Sequence, residues 1–84
     1  EANYERGLGR PYLVIKDKKK RQAVIMEMKI VDSAESMKKA EERALNQIEE
    51  MRYADSMYAQ GYQKVIKYGV AFYRKSCLVG RCEE

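Results

Sequence analysis

Glu27-Met28-Lys29 sets a carboxylate and an ammonium two residues apart inside Ala23–Val31, a run that is otherwise apolar. Burying an unpaired charge is expensive, so two charges in such a run call for a reason. Strand alternation puts Glu27 and Lys29 on one face with Ala23, Ile25 and Val31, and Val24, Met26, Met28 and Ile30 on the other. A carboxylate and an ammonium sharing a pocket suit phosphate chemistry: the carboxylate holds a divalent cation, and the lysine orients a water or stabilises developing phosphate charge. The same spacing also suits an edge strand with a solvated salt bridge, and the tripeptide alone leaves both readings open.

The elements around the pair follow from pattern. Tyr12–Ile15 reads as a short strand that runs into the charged segment Lys16-Asp17-Lys18-Lys19-Lys20-Arg21, and Ala23–Val31 reads as a longer one. A four-residue loop over Lys18–Arg21 makes them a hairpin, with Tyr12 opposite Glu27 and Arg10 opposite Lys29. A slip of one residue would send these side chains to opposite faces. From Asp32 the period changes to 3.6: Ala34, Met37, Ala40, Ala44, Leu45, Ile48 and Met51 form one apolar stripe. Asp32 with Glu35 reads as a capping box, with Ser33 as the alternative cap. Glu41 falls within the stripe, where it either snorkels or faces Lys29. Ala54–Gln60 reads as a second short helix ended by Gly61, and Lys64–Tyr73 as an apolar strand interrupted by Gly69. The order β-β-α-(α)-β, with nearly continuous apolar strands, predicts a sheet covered by the helix on one side and by something else on the other.

Composition bounds the rest. The 84 residues make one small domain; 45% are hydrophobic and 36% charged, a globular balance. No run approaches the ~20 apolar residues needed to cross a bilayer, and no leader is visible, so a soluble, cytoplasmic protein is expected. The chain begins at Glu1 rather than Met, so a fragment truncated at its N-terminus is expected, and the missing segment is a candidate for the second cover of the sheet. The net charge of +4 is concentrated in residues 1–31 and 61–84, with an acidic excess in 32–60, which suits an anionic partner on the flanks. Cys77 and Cys82 are the only cysteines and there is no histidine, too few ligands for a structural zinc site. Without a secretory signal the two thiols are expected to be free, near a frayed C-terminus.

Asn3-Tyr4-Glu5-Arg6-Gly7-Leu8-Gly9-Arg10-Pro11, the strand and basic turn after it, Glu27-Met28-Lys29, the helix with Ala44-Leu45-Asn46-Gln47-Ile48 and the strand Ile66–Tyr73 together resemble the PD-(D/E)XK nuclease superfamily. More specifically, they resemble the C-terminal nuclease-like domain found behind an AAA-ATPase-like domain in bacterial proteins. The resemblance covers nearly the whole chain, through the strand Ile66–Tyr73, makes 1–84 a single domain, and rests on the order and spacing of the motifs rather than on any one of them. It implies an α/β, restriction-endonuclease-like core and a nuclease acting on nucleic acid with Mg²⁺ or Mn²⁺. Glu27 would be a metal ligand, Lys29 the catalytic lysine and Gln47 an auxiliary polar residue. Where the family pattern has its first metal-ligating Asp, this chain has Tyr12. A phenol with a reference pKa near 10 is a poor ligand for a hard cation, so impaired cleavage is expected, with a non-catalytic nucleic-acid- or protein-binding module as the alternative. Arg10, Lys18, Lys19, Lys20 and Arg21 are the candidate phosphate contacts, although a run such as Lys18–Arg21 is more often a solvated hairpin tip. An attached AAA-ATPase-like domain and a homodimer are the further partners expected.

Overall fold

The computed structural model describes the backbone of residues 2–7 and 10–83 and the side chains of 12–83. Five strands form one sheet in chain order: β1 (Ala2–Gly7), β2 (Arg10–Asp17), β3 (Gln22–Ile30), β4 (Lys64–Tyr73) and β5 (Ser76–Glu83). The first three make an antiparallel meander. Two helices, α1 (Met37–Glu50) and α2 (Tyr53–Ala59), carry the chain across the sheet, so that β4 runs parallel to β3, and β5 then folds back antiparallel. This is the expected α/β order with a strand added at each end.

Local chemistry sets the hairpin. The Asp17 carboxylate accepts the Lys20 N–H at 3.1 Å and closes the turn, and Arg21 takes the left-handed conformation (φ 55°) that returns the chain into β3. The ladder runs from Tyr12↔Glu27 to Asp17↔Gln22, the expected register. The expected pairing of Arg10 with Lys29 lies outside it. Pro11, which has no N–H to donate, stands where the ladder stops, and Arg10 pairs instead with Gly7 of β1. The Arg10 side chain and the Glu5 side chain lie outside the described residues.

The helix starts later than the pattern predicts. A 3-10 turn over Ala34–Ser36 precedes α1, and no side chain caps either start. The Asp32–Glu35 capping box is therefore absent; the Ser33 and Ser36 hydroxyls bond each other at 2.7 Å instead. Ile48 of α1 and Ala54 and Met57 of α2 pack in one core with Val14, Ala23, Ile25, Tyr62 and Val65, and Ala40 and Ala44 of α1 are buried as well. After α2, Gly61 at φ 98° turns the chain towards β4. The Arg21 carbonyl accepts the Gln63 N–H at 2.8 Å, which ties the hairpin turn to the start of β4.

One face of the sheet carries both helices. Among the described residues nothing packs on the other, where Ile15, Ile30, Phe72 and Val79 are exposed and Ile30 keeps 84% of its surface. Cys77 and Cys82 are free and exposed, as expected, but they sit in β5 rather than in a frayed end. That strand escapes pattern reading because Gly80, Arg81 and Glu83 interrupt its apolar residues, and pairing with the open edge of β4 supplies what propensity does not.

Candidate functional site

Tyr12, Glu27, Gly69 and Gly80 stand directly opposite one another across β2, β3, β4 and β5, forming one row on the helix-covered face. The two glycines let α1 approach the sheet. A Cβ on Gly69 would run into the Glu41 carbonyl and the Leu45 backbone, and a Cβ on Gly80 would run into the Glu41 carboxylate. Glu41 is buried over Gly80, with its carboxylate accepting from Lys38 Nζ at 2.9 Å. It therefore leans towards β5; neither snorkelling into solvent nor facing Lys29 describes it. The exposed Lys38 ammonium has its pKa raised, chiefly by this hydrogen bond and then by the Glu41 charge.

Glu27 is wholly buried, at 0% exposure. Lys29 shares its face two residues further along β3 and is half-buried, as alternation requires. On the other side of Glu27 stands Lys67. It pairs with Ile25 in the parallel ladder, so it lies on the neighbouring strand, on the same face and two residues off register from Glu27. Lys67 is 1% exposed, and its ammonium donates to Glu49 of α1, whose own side chain keeps 55% exposure. A buried carboxylate thus sits between two lysines, one on each side along the sheet. Sequence reading passed over Lys67, yet the signal is the one that marked Glu27: a charge inside an apolar strand, at the parity of buried Val65, Gly69 and Ala71.

Tyr12 meets α2. Its ring stacks on Tyr53, with centroids 4.8 Å apart and planes inclined by 22°, so the phenol is held by an aromatic partner as well as by the strand. Beside this pair, Tyr12, Val14, Tyr53, Met57 and Gln60 line a hollow of about 220 Å³. Gln47 lies on the flank of α1 opposite Glu41, and its buried Oε1 accepts no hydrogen bond from any described residue. Among the described residues no three of His, Cys, Asp and Glu come together where one cation could hold them. Glu41 leans towards β5, two strands from Glu27, and Asp17 is at the hairpin turn.

The basic run is at the far end of the sheet. Lys18, Lys19 and Lys20 are exposed in the turn before β3, whereas Glu27 and Lys29 lie towards the end of that strand. Arg21, the last of the run, donates from Nη1 to the Gly61 carbonyl at 3.3 Å. The strands therefore bring together Tyr12, Glu27 and Lys29, with Lys67 as an unforeseen neighbour, and leave Lys18–Arg21 apart from them.

No curated protein and no solved structure matches the chain. A sequence model of the PD-(D/E)XK nuclease superfamily matches residues 1–82, a span that takes in β1 to β4, both helices and all but the last residue of β5. The chain belongs to the PD-(D/E)XK nuclease superfamily.

Proposed function

We propose that this is a nucleic-acid-binding domain of nuclease fold in which metal-dependent phosphodiester cleavage is impaired. The superfamily usually works with Mg²⁺ or Mn²⁺. The described donor set does not fit such a cation, because hard divalent ions take several oxygen ligands, carboxylates foremost, and Glu27 is the one carboxylate among the described side chains of the row; Glu5 of β1 pairs with Tyr12 at the next position of that row. The observation that carries the reading is Tyr12: directly across from Glu27 and stacked on Tyr53, it puts a neutral phenol where a second carboxylate is needed. Lys29, half-buried beside Glu27, remains suited to meet a phosphate oxygen, with Gln47 as an auxiliary polar group on the helix above.

The test is cleavage of labelled single- and double-stranded DNA and RNA with Mg²⁺ or Mn²⁺, comparing the natural chain, Tyr12→Asp and Tyr12→Asp with Glu27→Gln. The expected result is binding without cleavage by the natural chain, cleavage by Tyr12→Asp, and its loss in the double variant. Metal-dependent cleavage by the natural chain, abolished by Glu27→Gln, would overturn the proposed impairment.

A second reading is a domain that works by protein association, as a homodimer or against an AAA-ATPase-like domain. The bare sheet face favours it, since Ile30 and Phe72 stand opposite each other with Val79 diagonal to Phe72, and all three expose apolar surface. Among the described residues no helix is long and apolar enough to cross a membrane.

A further inference from the structure

Where β3 ends and α1 begins, Ile30, Asp32, Ser36, Lys39 and Arg43 line a hollow of about 470 Å³. Its two bases are unusual among those of the helices. Lys38, one residue away, is neutralised by Glu41, and Arg52 by Asp55. Lys39 and Arg43 make no ion pair or hydrogen bond with any described residue. They are also one helical turn apart, a spacing at which like charges repel. Helix neighbours do nothing to relieve Arg43: the residues three and four positions away are Lys39, Ala40, Asn46 and Gln47, none of them acidic. Asp32 is the one acid among the lining residues, so the hollow carries a net positive charge.

Position gives this charge its meaning. Ile30 follows Lys29 directly, so the hollow opens at the same end of β3 as the Glu27–Lys29 pair. The hairpin tip Lys18–Lys20 precedes Gln22, which is eight residues back from Ile30 along the strand. At about 3.3 Å per residue that is roughly 26 Å. Along β3 the hollow therefore lies close to Lys29 and far from the tip.

We infer that Lys39 and Arg43 form a phosphate-binding groove that leads a nucleic-acid backbone to Lys29. This rests on the nucleic-acid reading above and names the surface that performs it. Lys39 is a point charge on a flexible stem, while Arg43 offers a planar fork matched to two phosphate oxygens. Both contact backbone and neither reads a base, so binding is electrostatic and indifferent to sequence.

The experiment is fluorescence anisotropy of labelled single strands and duplexes, with salt raised from about 50 to about 200 mM. The proteins are the natural chain, Lys39→Gln with Arg43→Gln, and Lys18→Gln with Lys19→Gln and Lys20→Gln. Each phosphate contact on duplex DNA contributes about 0.9 to the slope of log affinity against log salt. Removing two contacts should make the loss of affinity over this fourfold salt range about 12-fold smaller. The hairpin-tip variant should keep the natural slope. Circular dichroism melts check that Lys39→Gln and Arg43→Gln, singly and together, fold as the natural chain does. If the natural chain binds and the groove variant keeps its affinity and slope, or the tip variant loses as much, the groove is refuted while the nucleic-acid reading stands. No binding by the natural chain even at the lowest salt refutes that reading, and the groove with it.

Discussion

Replacing Lys67 by Met keeps the length of the side chain and removes its charge from beneath α1. Adjacent strands lie about 4.8 Å apart and two residues rise about 6.6 Å, so the Cα atoms of Lys67 and Glu27 are about 8 Å apart, within reach of two side chains on the same buried face. Glu49, the other acid near Lys67, is half exposed and can return to water; Glu27 at 0% exposure cannot. Removing one partner from a buried charge pair costs about 3–5 kcal/mol, mostly through the charge left behind. At about 0.05–0.15 kcal/mol per residue, the 84-residue chain has roughly 4–13 kcal/mol in all, so Lys67→Met should remove a large share of it. Urea denaturation of Lys67→Met, Glu27→Gln and the double variant measures the coupling. The double variant should be more stable than the two single losses predict, by about 0.5–3 kcal/mol. Lys67→Met within about 1 kcal/mol of the natural chain, or losses that simply add, would show that Glu27 does not depend on Lys67.

Gly69→Ala forces a Cβ against helix backbone and should cost about 1–3 kcal/mol in urea denaturation, whereas Gly80→Ala meets only the end of the Glu41 side chain and should cost less. Equal costs would mean that α1 is not pinned at Gly69. Arg52 joins the helices in a left-handed conformation at φ 56°, a state that costs a non-glycine residue about 1–2 kcal/mol; its ion pair with Asp55 is exposed and worth little. Arg52→Gly should therefore raise stability by up to about 1 kcal/mol, and a lower denaturation midpoint would refute the reasoning. The Glu83 carboxyl lies below the usual carboxylate range because Lys64 and Arg81 hydrogen-bond to it and add their charge. A depressed folded pKa contributes stability above the ordinary value and loses it as pH falls through the folded one. Protection against hydrogen exchange at the end of β5, taken relative to the intrinsic rate at each pH, should accordingly fall on acidification, and Glu83→Gln should remove that pH dependence.

The elements that were legible in the sequence are those set by neighbours along the chain. Asp17 and Arg21 shape the hairpin turn, so the facing of Tyr12 and Glu27 follows from loop length alone. The strand Lys64–Tyr73 has the bounds its apolar run predicts, and the helix stripe buries Ala40, Ala44 and Ile48 as its period requires. What was hidden depends on partners far away in the chain. Ser76–Glu83 is a strand because β4 has an open edge, not because of its own residues. Asp32 and Glu35 have the spacing of a capping box, but the chain tightens into a 3-10 turn before α1 and the cap is never made. Lys67 could have been placed on the helix face by parity; its nearness to Glu27 needs the parallel register of β3 and β4, which no local signal carries.

On the proposed reading, the same substitution weakens cleavage and leaves binding intact. Two carboxylates facing each other repel phosphate until a cation stands between them. With Tyr12 in place of one, the row loses a negative charge, and Glu27 lies between two buried or half-buried lysines. Lys29 and Lys67 flank Glu27 from both sides, and Lys39 and Arg43 carry positive charge outward along α1. Such a site attracts a nucleic-acid backbone more strongly than one with two carboxylates and no cation, yet it has no means of activating water against it. Adding Mg²⁺ should then weaken nucleic-acid binding by screening alone, to the same degree in the natural chain and in Glu27→Gln. A gain in affinity with Mg²⁺ that requires Glu27 would show instead that the site still holds a cation.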